Sequence, residues 1–191
     1  TENFYKGETS AAIMAKMANC DLIPVDIGVA REVAGEGLIH HKIAYGTGNI
    51  AQGPAMTRTQ AVEAVEFGAN LAYELAGQGY RILCTGEMGI GNTTTASAVT
   101  SVLLNLDPAQ VTGRGAGLSS EGLSRKVQAI RRALKVNQPR SDDPLDLVAK
   151  VGGYDLAGLC GVFLGGALAG IPVVVDGFIS GAAALLAVRL C

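Results

Sequence analysis

The chain has 191 residues, 49% of them hydrophobic and 5% aromatic, with 26 Gly and a formal net charge of −2. That length allows one α/β domain with a sizeable core, built from Ala, Val, Ile and Leu with backbones brought close by glycine. The charge balance excludes a general attraction to nucleic acid or to an anionic membrane surface.

The predicted elements follow in chain order. Residues 8–19 have helical apolar spacing, and residues 21–29 are β-rich, with Pro24 arguing for a strand edge or a late start. Residues 33–53 hold five glycines and read as a long loop with a short strand at 42–45. Thr57 opens the clearest helix: T-x-x-Q at 57–60 is a capping box, apolar residues recur through Leu75, and Gly77 and Gly79 end it. YRILCT at 80–85 is a short apolar run expected to be a central, buried parallel strand. GEMGIGN is the turn after it, and TTTASAVTSVLL the next helix. GRGAGL at 113–118 is loop, followed by a helix with basic residues toward its end, where the helix dipole favours them. DDPLDLVAKVGG is a short helix with a glycine stop, and residues 154–169 a glycine-rich apolar helix. IPVVVD at 171–176 is a second buried strand, with a helix after it. Strand, turn and helix thus recur at least three times. That predicts a right-handed, mostly parallel sheet with helices on both faces.

Residues 156–175 are apolar but carry five glycines and Pro172, so they read as helix, turn and strand and not as a membrane span. Cys20, Cys84, Cys160 and Cys191 lie far apart in apolar segments. They are expected to be reduced, buried thiols of a cytoplasmic protein, and neither a disulfide frame nor a zinc site. His40 and His41 are adjacent and lack the spacing of a metal pair. The share of charged residues, 17%, is below the usual ~25%, which suggests that some surface is covered by a partner or by further chain.

The chemistry concentrates in the turns at strand ends, where ligands of such sheets bind. Gly86, Gly89 and Gly91 let backbone N–H groups approach an anion, and the helix opening at Asn92 adds its positive end. Thr93 and the threonines after it supply hydroxyls. The spacing nearly spells a P-loop, but a P-loop puts lysine where this chain has Asn92. The turn therefore suits a monophosphate, a ribose or a neutral heterocycle, or else serves tight packing alone. Mg-ATP is disfavoured. Glu87 would repel phosphate but would accept a proton from a neutral N–H-bearing ring; the alternative is a solvated loop tip. Asp176 ends the second strand and reads either as a partner for ribose hydroxyls or as a helix cap. Lys126 is the best phosphate partner outside the turn, against a solvated helix face.

GEMGIGNTTTASAV, together with GTGNIAQGPAMT at 46–57, GRGAGL, DDPLDLVAKVGG and VVVDGFISGAAAL at 173–185, closely resembles the nicotinate-nucleotide:dimethylbenzimidazole phosphoribosyltransferase family, in order across nearly the whole chain. The resemblance implies a three-layer α/β/α, Rossmann-like homodimer that needs neither metal nor redox cofactor. It implies transfer of phosphoribose from nicotinate mononucleotide to a benzimidazole-like base, giving nicotinate and α-ribazole 5′-phosphate for the nucleotide loop of cobalamin. It places Glu87 on the family's active-site glutamate, Gly86, Gly89, Gly91 and Asn92 on its glycine turn, and Lys126 on a phosphate-contacting lysine. Asp176 falls on the DGFI aspartate. The family's usual catalytic-base glutamate is expected in an RLGEG-type segment beyond Cys191, and residues 1–191 as a single domain lacking the family's N- and C-terminal segments. The competing expectation is a non-catalytic core that binds nucleotide or base.

Overall fold

The computed structural model describes residues 2–191, and the chain divides into two compact units, Thr1–Gly46 and Thr47–Cys191.

In the first unit, α1 spans Glu2–Tyr5 and α2 spans Ser10–Met17. Thr9 caps α2, its hydroxyl accepting from Ala12 N at 3.1 Å. β1 (Val25–Asp26) pairs in parallel with β2 (Ile39–His40). The strand expected at 42–45 is displaced to 39–40, and 43–46 are bends. The cause is Asp26. Fully buried, it accepts Gly28 N and Val29 N with Oδ1 and turns the chain out of the pairing. Lys42 follows it inward: Nζ lies 2.7 Å from Asp26 Oδ2 and donates to the carbonyls of Val29 and Arg31.

The second unit is mostly helical around one parallel strand pair. α3 (Arg58–Gly77) starts at the predicted capping box, with Thr57 and Gln60 bonding each other's backbone N–H. β3 (Leu83–Cys84) pairs in parallel with β4 (Val173–Val174). The flanking hydrogen bonds run from Leu83 N to Pro172 O and from Thr85 N to Val174 O. α4 is Thr93–Leu104, α5 Pro108–Val111, α6 Ser120–Asn137, α7 Pro144–Val151, α8 Tyr154–Ala169 and α9 Gly177–Leu190. The class is α/β with parallel pairing, as expected, although the sheets are short. Helix α5 is an addition, capped by Asp107.

Glycine sets the closest helix contact. A Cβ on Gly68 of α3 would overlap the Gly158 carbonyl of α8, and one on Gly161 or Gly165 would overlap the Val65 or Ala69 carbonyl. Ala61, Ala64 and Ala72 of α3 are fully buried. The two backbones therefore touch along several turns, as only small residues permit. This contact fixes where α8 begins, and the start of α8 contributes to the site.

Two further expectations fail. β3 and β4 are not buried: Cys84 and Val174 are exposed, because a two-stranded pair has no neighbouring strands on either side among the described residues. Only Cys160 is a buried thiol, pushed up to about 12 by desolvation inside α8 and by Cys191, while Cys20, Cys84 and Cys191 are exposed. No helix among the described residues is long and apolar enough to cross a membrane.

Candidate active site

The parallel register of β3 and β4 brings their carboxyl ends to one edge. The turn at 86–92 therefore leaves the sheet beside Asp176. Thr85 ties the two exits together, its N–H and hydroxyl both donating to Val174 O, at 3.1 and 2.9 Å.

Gly89 and Gly91 adopt φ of +68° and +83°, in the left-handed region where side chains are strained. These two reversals wind the turn back on itself before α4 begins. Glu87 folds over the turn: its Oε2 accepts from Gly89 N and, at 3.0 Å, from Asn92 Nδ2. Oε1 has no partner among the described residues. Gly86 is exposed at the start of the turn.

Asn92 occupies the N-cap position of α4 but caps nothing with its side chain. Nδ2 instead spans two carboxyl groups, the second being Asp155 Oδ2 at 2.7 Å. Asp155 sits in the first turn of α8, just beyond Gly153, where a Cβ would lie 2.5 Å from its Oδ1. Sequence reasoning did not single out Asp155. Its signal was there, an acidic residue in the first turn of a helix preceded by two glycines, but nothing local links it to residue 92.

Thr93, the first residue of α4, accepts from Lys126 Nζ at 2.8 Å. Lys126 comes from the middle of α6, is 8% exposed, and donates a second bond to Gly113 O at 3.1 Å. Both acceptors are neutral, and it forms no ion pair among the described residues. Withdrawal from water holds its ammonium below the usual lysine range. The GRGAGL loop closes over this pair. Gly115 has φ +57°, and a Cβ there would lie 2.9 Å from Thr93 Oγ1 and 3.4 Å from Lys126 Nζ.

Asp176 is exposed at the N-cap position of α9 and makes no side-chain cap bond. The helix-cap alternative for it is therefore not realised. The structure brings together Glu87, Gly89, Asn92, Thr93, Lys126 and Asp155; Asp176 shares the sheet edge with them.

A tight, lysine-free turn at the carboxyl edge of parallel strands, opening a buried helix beside a withdrawn ammonium, is the candidate site of this α/β domain. The family model described as "Phosphoribosyltransferase" matches residues 1–191, and the chain belongs to that family. A protein of Acetivibrio thermocellus named nicotinate-nucleotide–dimethylbenzimidazole phosphoribosyltransferase is 50% identical over 190 residues, covering 100% of this chain and 54% of the relative. One of the same name from Alkaliphilus metalliredigens is 52% identical over 191 residues, covering 55% of it. The crystal structure of CobT from Thermus thermophilus superimposes with a TM-score of 0.93 at 42% identity, covering 99% of this chain and 57% of that one. The chain thus spans about half the length of the curated relatives it matches.

Proposed function

We propose that this chain carries the phosphate- and ribose-binding core of an enzyme that transfers phosphoribose from nicotinate mononucleotide to a benzimidazole-like base, giving α-ribazole 5′-phosphate and nicotinate for cobalamin assembly. The observation that carries this reading is Lys126: a buried ammonium with one proton unassigned, held by neutral acceptors at the first turn of α4. A group so placed awaits an anion, and one lysine with one helix end suits a monophosphate.

In this reading the amides of Gly86 and Gly91, with Thr93 and Lys126, border the donor's 5′-phosphate, while Gly89 and Asn92 give their protons to carboxyl groups at the turn, and Asp176 accepts from ribose hydroxyls. The bond from C1′ to the pyridinium nitrogen breaks, and its electron pair returns the ring to a neutral pyridine, releasing nicotinate. The lone pair of an azole nitrogen forms the new bond to C1′. The N–H proton of the incoming base passes to a carboxylate; Glu87, with one oxygen its turn leaves unbonded, is the candidate among the described residues, beside the base glutamate that the resemblance places after residue 191. No metal or redox cofactor is required, since the leaving ring already carries positive charge. The low share of charged residues and the exposed Ile82, Ile90, Val175 and Phe178 favour a homodimer, and the free cysteines favour work in the cytoplasm.

The test is incubation with nicotinate mononucleotide and dimethylbenzimidazole. α-Ribazole phosphate should form, and Glu87→Gln should lower kcat by at least about 100-fold. A second reading is a core that binds nucleotide or base without catalysis, for which the neutral partners of Lys126 suffice. It predicts thermal stabilisation by the mononucleotide with no product at all.

A further inference from the structure

We propose that Asn92 is a positioning residue that tethers Glu87 to Asp155, so that two carboxyl groups stand side by side at the glycine turn without a cation between them; this rests on the transfer reading above.

Asn92 is 8% exposed and stands where an asparagine ordinarily turns its oxygen onto a backbone N–H two or three residues on. It does not. Nδ2 gives one proton to Glu87 Oε2 at 3.0 Å and the other to Asp155 Oδ2 at 2.7 Å. Both partners are carboxyl oxygens, so the reversed amide would set oxygen against oxygen, and the orientation is forced. Oδ1 is left buried with no partner among the described residues. A side chain that forgoes both its cap bond and a donor for its own oxygen is arranged to hold those carboxyls, not to stabilise α4.

The hold has a consequence for Glu87. Oε2 takes two donors, Gly89 N and Asn92 Nδ2, which fix the carboxyl plane and reserve Oε1 for the proton of the incoming base. A lysine at 92, the residue of the P-loop pattern, would draw both carboxyl groups into ion pairs. The amide bonds them and adds no charge beside a sugar that becomes positive as its bond to nicotinate lengthens. Asp155 is the anchor of the tether. It arrives from α8, whose position is set by the glycine contact with α3.

Two measurements on the full protein test this. Asn92→Asp keeps the size and removes both donors. It should lower kcat about 10- to 100-fold, and adding Glu87→Gln should lower it little further, because Asn92 acts through Glu87. In ¹⁵N-labelled protein the two side-chain amide protons of Asn92 should respond separately, one to Glu87→Ala and the other to Asp155→Ala. The inference is overturned if Asn92→Asp retains the wild-type kcat, or if neither amide proton moves in either variant. Should Asn92→Asp fail to fold, the amide signals decide alone. Should the wild-type protein make no α-ribazole phosphate, the transfer reading falls, and the same amide signals still decide whether the tether exists.

Discussion

Lys42 and Lys126 are both drawn out of solvent, one in each compact unit, and they are treated in opposite ways. Lys42 meets a fully buried carboxylate at 2.7 Å and two carbonyls, and Tyr45 places its ring 4.9 Å away. Its charge is answered inside the fold. Lys126 meets a hydroxyl and a carbonyl, and no carboxylate. The first arrangement builds a corner of the chain. The second leaves a cation uncompensated beside a helix N-terminus, a condition that folding alone has no reason to create.

The largest effect should come from breaking the compensated lysine. Lys42→Met leaves Asp26 buried without its ion, and should destabilise the protein by about 3–5 kcal/mol in denaturant titrations. Adding Asp26→Asn should restore much of that loss. Equal damage from Lys126→Met would erase the contrast.

Lys126→Met should instead weaken nicotinate mononucleotide binding by about 10- to 100-fold in calorimetry, the worth of one charge-assisted hydrogen bond, with folding stability little changed. Its pH dependence sharpens the point. The folded ammonium titrates below the ordinary 10.5 because it is desolvated. Between the folded pKa and 10.5 the unfolded chain therefore holds more protons, so stability rises with pH across that window. Mononucleotide affinity should fall across the same window as the ammonium is lost. Lys126→Met should flatten both trends.

The smallest effect should be Gly115→Ala. The methyl would stand 2.9 Å from Thr93 Oγ1 on a backbone at φ +57°, so either the loop or the lysine must give. Affinity should drop about 3- to 10-fold, in keeping with a cost of ~1 kcal/mol. An unchanged affinity would place the phosphate away from this loop.

Much of the fold was legible. The helix at 93–104, the capping box at Thr57 and the glycine stop of α7 follow from spacing, side-chain chemistry and backbone freedom, all of which act within a few residues. The boundaries of α8 were equally plain, because Gly153 and Gly170 bracket an unbroken apolar run. The cap D-P-A-Q of α5 was also legible, but it passed unread. Strand extent was not legible, since it depends on which partner strand supplies hydrogen bonds. Nor was the exposure of Cys84, for an apolar strand is buried only when something covers it.

The site divides along the same line. The turn at 86–92 and its glycines belong to the sequence: positive φ at Gly89 and Gly91 is a local demand. Lys126 was half legible. Gly122, Lys126, Ile130, Ala133 and Asn137 share one buried stripe of α6, a helical period that could have marked the lysine as inward-facing. Its meeting with Thr93 joins residues 33 apart, and the bond from Asn92 to Asp155 joins residues 63 apart. Those two contacts were decided only by tertiary structure, because they depend on how α6 packs against α4 and on how α3 and α9 hold α8. Sequence by itself set the turn, the helices and the parallel class, since backbone sterics and hydrophobic period act at short range; which charges would face one another waited on the packing of helices.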